Sequence, residues 1–139
     1  MTETTARPSD FSILIADDDE GCREVLRELV EGVGYRALLA SSGEEAIDMV
    51  TDAEVHLALL DMHLPRLTGL ETLQLVRQMH AMLPAILVTA DASQSLMREA
   101  QRSSIYSVLP KPVSKGLVLQ TVARALRRHY GLPGSGIVG

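Results

Sequence analysis

The sequence predicts an α/β fold, a doubly wound parallel sheet of five strands with five helices. Five short apolar segments alternate with stretches whose apolar residues recur every three or four positions. This alternation is typical of parallel strands joined by right-handed helical crossovers, with helices on both faces of the sheet. The 139 residues suit one domain, and their 46% hydrophobic content is enough for a single core.

Five apolar segments are the predicted strands. The first covers residues 11–16 and is almost wholly apolar, as expected of a parallel strand that is covered on both faces. It stops at three consecutive aspartates. The other strands are predicted at residues 35–40, 55–60, 85–89 and 105–109.

Five amphipathic stretches are the predicted helices. The first runs through residues 22–33 and ends at Gly34, and the second opens at Ser42. The other three are predicted at residues 69–80, 93–102 and 114–129. The apolar face of the first helix is predicted to comprise Cys22, Val25, Leu26, Leu29, Val30 and Val33.

The composition divides the chain into three parts. Residues 1–10 are polar and contain a proline, so we expect a loose arm. Residues 11–130 form the predicted domain. Residues 131–139 are rich in glycine, with a proline and a serine, and predict a flexible tail or linker.

Charge and composition argue against several classes of partner. The formal net charge is −5, and the chain has one Phe, three Tyr and no Trp, which disfavours direct binding of nucleic acid. No apolar run approaches the roughly 18 residues of a membrane span, and no signal peptide is evident, so we expect no membrane association. The one cysteine, Cys22, excludes an internal disulfide and fits a cytoplasmic protein.

A basic run near the end of the chain has two interpretations. A solvated helix face is favoured, because cations there complement the negative end of the helix dipole. A docking patch for an acidic partner is the alternative. The run consists of Arg124, Arg127, Arg128 and His129.

The ends of the predicted strands carry an unusual set of polar residues. The first strand ends in Asp17 and Asp18, the third in Asp61 and the fourth in Thr89, and Lys111 follows the fifth. Ligands of open parallel sheets bind at the carboxyl ends of the strands. If the strand order is 2-1-3-4-5, the first and third strands lie about 5 Å apart and their carboxylates face each other.

This arrangement predicts a Mg²⁺ site with phosphoryl chemistry. Carboxylates crowded in one crevice need a cation, and Mg²⁺ takes one or two of them together with waters and a phosphate oxygen. An ionised aspartate such as Asp61 can attack phosphorus and form an aspartyl phosphate. The metal, the Lys111 ammonium and the Thr89 hydroxyl would then neutralise the transferred group.

Each of these residues also has a simpler explanation. Asp18 or its neighbour Asp19 could cap the first helix, and Asp61 could be a turn residue. Thr89 suits any strand, and Lys111 could be an ordinary loop lysine. These explanations do not predict all the residues together at four strand ends, and the conjunction favours a functional site.

With these residues placed, residues 11–129 resemble a receiver domain of the response regulators of bacterial two-component systems, of the single-domain type. Residues 13–18 (ILIADD) resemble the first strand and acidic pair of that family. Residues 59–69 (LLDMHLPRLTG) resemble its phosphoacceptor loop. Thr89-Ala90 and Lys111-Pro112 match its hydroxyl position, with the small neighbour, and its lysine–proline pair.

The resemblance implies a flavodoxin-like fold and a phosphorylation-dependent switch that is not an enzyme acting on an external substrate. It implies that Asp61 accepts a phosphoryl group from a sensor histidine kinase or a phosphotransfer protein. Asp17, Asp18, Asp61 and the backbone carbonyl of His63 would hold Mg²⁺. Thr89 and Lys111 would contact the phosphoryl oxygens, and the peptide bond between Lys111 and Pro112 would be cis.

Two departures from the family pattern bear on the switch. The aromatic partner of the hydroxyl usually lies two or three positions before the lysine, where this chain has Val108, and Tyr106 lies two residues earlier. Either Tyr106 substitutes or the coupling is weakened, and we favour weakened coupling. Residues 102–104 read Arg-Ser-Ser where relatives tend to have alanine and glycine, so we expect a less clean end to the fourth helix.

Two further side chains are candidates for tuning the phosphoryl lifetime. His63 and Asp91 lie two positions after Asp61 and Thr89, where they would border the phosphoryl group. An exposed loop imidazole is an equally good interpretation of His63. The remaining histidines have no metal-ligand spacing and are interpreted as surface residues; they are His56, His80 and His129.

Two other functions of the same fold class are disfavoured. A nucleotide- or flavin-binding domain needs a Gly- or Ser-rich loop after the first strand, where this chain has aspartates. An aspartyl-phosphate phosphatase typically has a second aspartate where His63 stands.

The output of the favoured function has two interpretations. It could be a partner protein that binds the surface of the fourth helix, fifth strand and fifth helix, or an onward phosphorelay.

Overall fold

The computed structural model describes residues 6–131, which form a parallel five-stranded sheet in the order β2-β1-β3-β4-β5. The predicted fold and strand order are therefore confirmed. The strands are β1 (Ser12–Ala16), β2 (Arg36–Ala40), β3 (Leu57–Asp61), β4 (Ala85–Thr89) and β5 (Ser107–Pro110). The helices are α1 (Glu20–Val33), α2 (Gly43–Thr51), α3 (Gly69–Val76), α4 (Gln94–Arg102) and α5 (Lys115–Tyr130).

The sheet lies between two hydrophobic layers. Successive side chains of β1 point to opposite faces, so Leu14 packs with α2, α3 and α4 while Ile13 and Ile15 pack with α1 and α5. Every residue of β1, β3 and β4 is buried, which explains their continuous apolar sequence. A sheet covered on both faces leaves the carboxyl ends of its strands as the natural place for a site.

The structure corrects two details of the predicted helices. α3 ends at Val76 rather than at residue 80, because the chain then folds into successive tight turns that lead to β4. The first helix buries Leu26 and Val30, but Val25 and Val33 are each 44% exposed. The apolar face of α1 is therefore narrower than the spacing predicted.

The ends of the chain are described only in part. Pro8–Asp10 forms one turn of 3-10 helix within the stretch predicted as a loose arm. Its backbone accepts the N–H of Phe11, which leads directly into β1. Residues 1–5, half of the predicted arm, and residues 132–139, all but the first residue of the predicted tail, lie outside the described residues.

Two histidines interpreted as surface residues are partly buried. The His56 side chain is 15% exposed, and its Nδ1 accepts a hydrogen bond from the Ser12 backbone N–H at 2.9 Å. Its ring also packs edge-on against Phe11 and Tyr130. His80 Nε2 lies 2.9 Å from the Val50 carbonyl, whereas His129 is exposed as predicted. Both corrections come from contacts between residues distant in sequence.

One arginine fixes the end of α4. The Arg77 guanidinium, just after α3, donates hydrogen bonds to the carbonyls of Leu83, Ser103 and Ser104. Ser104 adopts a left-handed conformation with φ of 54°, a region that favours glycine. The Arg-Ser-Ser departure therefore ends α4 with a left-handed serine that a distant arginine holds, rather than with a glycine.

Candidate functional site

The structure brings five of the predicted site residues to the carboxyl edge of the sheet. Asp17 follows β1, and Asp61 and Thr89 end β3 and β4. Asp18 is next to Asp17, and Lys111 follows β5. Because β1 and β3 pair directly, with Ala16 opposite Leu60, the acidic residues of the two strands meet as the assumed strand order predicted.

Asp17 is a buried carboxylate with incomplete hydrogen bonding. Only 1% of it is exposed, and its Oδ1 accepts the backbone N–H of Asp19 at 2.9 Å. Its Oδ2 lies 3.0 Å from Lys111 Nζ, an ion pair by distance, but receives no hydrogen bond of acceptable geometry from any residue of the described chain. A buried carboxylate oxygen without a donor is suited to bind a cation.

Asp61 is the second buried carboxylate, with 6% of its surface exposed. Its Oδ1 accepts the His63 backbone N–H at 3.1 Å, and its Oδ2 accepts a hydrogen bond from Lys111 Nζ at 3.2 Å. Burial raises the pKa of Asp61, and the charge of Asp17 raises it further, against the opposing effects of His63 and Lys111. A cation bound there would favour the ionised form that nucleophilic attack requires.

The Lys111 ammonium forms ion pairs with the carboxylates of both Asp17 and Asp61. Burial alone would lower its pKa, but the ion pairs with Asp17 and Asp61 outweigh that effect and raise the pKa above its usual range. The ammonium is therefore charged at neutral pH. The peptide bond between Lys111 and Pro112 is cis, as the resemblance implied.

Three carboxylates are close enough to share one metal ion. Asp17, Asp18 and Asp61 each offer an oxygen, and these oxygens lie within 4.8 Å of one another. Asp17 and Asp61 are buried while Asp18 is exposed, so one side of the group is open to solvent. Oxygen ligands on one side and water on the other suit Mg²⁺, which keeps several waters when it binds a protein.

Asp19 is the member of the aspartate run that caps the first helix. Its side chain caps α1 by accepting the N–H groups of Gly21 and Cys22. Asp19 thus fills the capping role that Asp18 or Asp19 could have taken. Asp17 and Asp18 are left for the site.

The remaining predicted residues take different positions around this edge. Thr89 is buried, and its Oγ1 accepts the Asp91 backbone N–H at 3.2 Å. The side chains of Ala90, Asp91 and His63 are exposed, and His63 contacts Asp61 through its backbone N–H. These three are therefore placed at the rim of the site rather than in its floor.

Tyr106 and Val108 lie away from the Thr89 hydroxyl. The Tyr106 backbone N–H bonds to the carbonyl of Ala85, four residues before Thr89 on β4. At about 3.3 Å per residue, this places Tyr106 about 13 Å from the level of Thr89. Val108 pairs with Leu87 and packs against the buried layer of α2, α3 and α4. The distance between Tyr106 and Thr89 favours weakened coupling of the hydroxyl over the alternative that Tyr106 replaces the usual aromatic partner.

The loop after Asp61 is fixed by contacts that the sequence did not predict. A Cβ at Gly69 would collide with the Asp61 carbonyl oxygen, so only glycine fits there. Arg66 adopts a left-handed conformation with φ of 68° and pairs with Glu44 of α2 at 2.8 Å. Thr68 caps α3. The resemblance of residues 59–69 to a phosphoacceptor loop predicted a loop here, but not these partners.

Cys22 lines a cavity next to the site that the sequence did not predict. A cavity of about 470 Å³ opens beside Lys111 between the start of α1 and the loop after β5. Burial, with a smaller contribution from Asp17, raises the pKa of the Cys22 thiol to about 12. The thiol is therefore neutral and serves as an apolar wall. The cavity is lined by Asp19, Gly21, Cys22, Val25, Ala90, Lys111, Pro112 and Val113.

Comparisons with known proteins place the chain in one family. A model of the response regulator receiver domain matches residues 13–123. The chain is 33% identical over 118 residues to the transcriptional regulatory protein CpxR of Escherichia coli, covering 85% of this chain and 50% of CpxR. It is 30% identical over 122 residues to the sensory/regulatory protein RpfC of Xanthomonas campestris, covering 85% of this chain and 17% of RpfC. The chain thus spans half or less of these two relatives.

Solved structures show the same fold. A CheY-like receiver domain protein from Methanospirillum hungatei superimposes with a TM-score of 0.82 at 25% identity, covering 87% of this chain and 97% of that one. The receiver domain of an HD domain-containing protein from Pseudomonas fluorescens gives a TM-score of 0.82 at 27% identity, covering 91% and 99%. In residues 6–131, no helix has the length and apolar character needed to cross a membrane. Sequence, fold and site geometry agree that the chain belongs to the response regulator receiver domain family.

Proposed function

We propose that this chain is a phosphorylation-dependent switch in which Asp61 accepts a phosphoryl group with the help of Mg²⁺. The observation that carries the proposal is the grouping of Asp17, Asp18 and Asp61 within 4.8 Å, with Lys111 bridging the two buried members. The donor would be a sensor histidine kinase or a phosphotransfer protein. Phosphoryl acceptance on an aspartate is general to the family.

Each residue has a definite role in the proposed transfer. A carboxylate oxygen of Asp61 attacks phosphorus while the bond to the donor imidazole nitrogen breaks, and the imidazole leaves. Asp17, Asp18, Asp61 and the His63 carbonyl would hold Mg²⁺, which when bound neutralises charge on the phosphoryl oxygens. Lys111 and Thr89 would contact the oxygens of the transferred group.

The geometry before transfer suits this role. Lys111 already lies 3.2 Å from Asp61, so its ammonium can move from the carboxylate to a phosphoryl oxygen with little displacement. The Thr89 hydroxyl, now bonded only within its own loop, would reorient toward the phosphoryl group. The exposed His63 and Asp91 side chains would tune the access of water and hence the lifetime of the acyl phosphate.

The cavity beside Cys22 supports a donor that approaches from the side of α1. It opens next to Lys111, and its apolar wall includes Val25, which is 44% exposed. A donor seated there would bring its imidazole to the edge of the sheet at which Asp61 lies. Phosphodonors of this class and a free thiol such as Cys22 both suit the cytoplasm, in which we place the chain.

The output would be a change in partner binding or an onward phosphorelay. Phosphorylation can only shift an existing equilibrium, so a partner must prefer one state to read it. Met97 of α4 and Leu117 of α5 are 45% and 40% exposed, which supplies apolar contact area on the α4, β5 and α5 surface. The output partner would be a protein, because the formal net charge of −5 disfavours nucleic acid.

Intact mass after incubation with acetyl phosphate and Mg²⁺ tests the proposal. The wild type should gain one phosphoryl group, and Asp61→Asn should gain none. Asp48→Asn, at an exposed aspartate of α2, is the matched control and should behave as wild type. EDTA should abolish the adduct. A phosphoryl adduct on Asp61→Asn, or none on the wild type, would contradict the proposal.

A further inference from the structure

A groove lies at the opposite end of the sheet from Asp61 and Thr89. Its volume is about 760 Å³, and it is formed by the loop before β4, the loop before β5 and the last turns of α5. Its lining includes the buried side chains of Leu83 and Ala125. The groove is therefore a depression backed by the core and not a gap between mobile ends.

Two large exposed apolar side chains line this groove. Met82 is 75% exposed and Tyr106 is 36% exposed. Methionine and tyrosine are enriched in the contact surfaces of protein complexes, because each buries a large area on binding. The apolar part of the groove is thus suited to an inserted side chain.

The charges around the groove have one sign. Arg77, Arg128 and His129 line it, and no Asp or Glu does in the part of the chain that the structure describes. Within residues 6–131, neither Arg77 nor Arg128 forms an ion pair with a carboxylate. A locally basic groove in a chain of net charge −5 is complementary to an anionic partner.

We propose that this groove is a docking surface for an acidic segment of a partner protein that carries an apolar side chain among its carboxylates. The apolar side chain would pack between Met82 and Tyr106. A carboxylate would pair with the Arg128 guanidinium, whose fork favours two parallel hydrogen bonds. The surface is separate from the proposed phosphorylation site, so its binding does not require Asp61.

The basic residues near the end of α5 do not all line the groove. Arg128 and His129 line the groove, whereas Arg127 lines a different cavity near Tyr35. Arg124 is exposed and lines neither of these cavities. The docking interpretation therefore applies to the last two residues of the run. Arg124 fits the solvated helix face.

A random-peptide display selection on the full chain tests the proposal. Peptides are selected on wild type and counter-selected on Arg128→Glu, and the recovered peptides are measured in solution. We expect them to combine Asp or Glu with a large apolar residue. Arg128→Glu should weaken their binding by at least about tenfold, and Met82→Gln by at least about threefold.

Arg124→Glu is the matched control, because it makes the same charge change at an exposed arginine of the same helix. It should weaken binding by less than about threefold, the size expected of a rim charge. Asp61→Asn should leave binding unchanged, which separates this proposal from the proposed phosphoryl transfer. Equal losses in Arg124→Glu and Arg128→Glu would overturn the proposal. So would recovered peptides without acidic residues, or no peptides at all.

Discussion

Lys111 Nζ lies 3.2 Å from Asp61 Oδ2, so the proposed phosphoacceptor already has a cationic partner before any transfer. The same ammonium lies 3.0 Å from Asp17 Oδ2. One cation thus balances two buried carboxylates that come from neighbouring strands. The arrangement ties the stability of the carboxyl edge to the chemistry proposed for it.

Removing the Lys111 ammonium should make the fold depend on Mg²⁺. In Lys111→Met, the buried carboxylates of Asp17 and Asp61 repel each other without a partner. We expect the free energy of unfolding in EDTA to fall by about 2 kcal/mol, less than the roughly 3–5 kcal/mol of a fully buried broken pair, because Lys111 is partly exposed. Mg²⁺ should restore more stability to the variant than it adds to the wild type.

Urea unfolding with and without Mg²⁺ measures this effect. Lys115→Met, at an exposed lysine that begins α5, is the control and should match the wild type in both conditions. If Mg²⁺ stabilised Lys111→Met no more than the wild type, the shared role of Lys111 and the metal would be wrong.

Gly69 is expected to be intolerant of any side chain. A Cβ there would collide with the Asp61 carbonyl oxygen, so Gly69→Ala must displace the loop that carries the proposed phosphoacceptor. We expect a loss of about 1–3 kcal/mol in the free energy of unfolding, typical of overpacking, and slower phosphorylation by acetyl phosphate. Gly116→Ala is the control, because nothing lies within 4 Å of its Cβ. Equal stability in the two variants would refute the close approach.

The free energy of unfolding should decrease as the pH is lowered, because His56 becomes protonated. Burial lowers the pKa of His56 below its ordinary value of 6.5, and Arg36 lowers it further, against the opposing charges of Glu54 and Asp10. Its Nδ1 accepts the Ser12 N–H, which the protonated ring cannot do. The unfolded chain therefore binds more protons, so stability is fully present above pH 6.5 and declines as the pH falls toward the folded pKa.

Urea unfolding between about pH 7.5 and pH 5.5, the range in which histidine titrates, tests this prediction. His56→Asn loses ring packing and is less stable throughout, but its stability should decline less steeply with acid than that of the wild type. His129→Asn changes an exposed histidine and should keep the wild-type slope. Parallel profiles for the wild type and His56→Asn would remove His56 as the cause.

The Tyr106 side chain should contribute little to the switch. The strand register places it about 13 Å from the level of Thr89, beyond the reach of its ring. In Tyr106→Ala, we expect the amide shifts of Ala90 and Asp91 on phosphorylation by acetyl phosphate to match those of the wild type in NMR spectra. Thr89→Val should reduce them, because the hydroxyl is lost. A reduced response in Tyr106→Ala would show that the tyrosine is coupled to the site.

The strand ends explain why so much of the site could be predicted. A buried parallel strand is a continuous apolar run, so the point at which it ends is visible in the sequence. Asp17, Asp61 and Thr89 mark three such points, and the common strand order then brings them together. The position of Lys111 followed from the same logic, since it lies just beyond β5.

Contacts that span unrelated segments could not be predicted in this way. Nothing in the periodicity of α3 shows that Arg77 reaches the carbonyls of Ser103 and Ser104, 26 and 27 residues away. His56 was likewise interpreted as a surface residue, but in the structure it contacts Ser12 and Tyr130. Hydrophobic patterns determine the elements, but the hydrogen bonds between loops depend on how those elements are placed.

The Arg77 side chain should restrict the mobility of the end of α4. Its guanidinium holds the carbonyls at the end of α4 and the loop before β4, and burial lowers its pKa without removing its charge at neutral pH. In Arg77→Met these carbonyls lose their donor, so amide hydrogen exchange should quicken by about tenfold or more at residues 103–105, where charged hydrogen bonds are worth about 1.5–3 kcal/mol. Arg102→Met, at an exposed arginine of α4 itself, should leave these rates unchanged. Unaltered exchange in Arg77→Met would mean that the end of α4 is held by its own backbone hydrogen bonds alone.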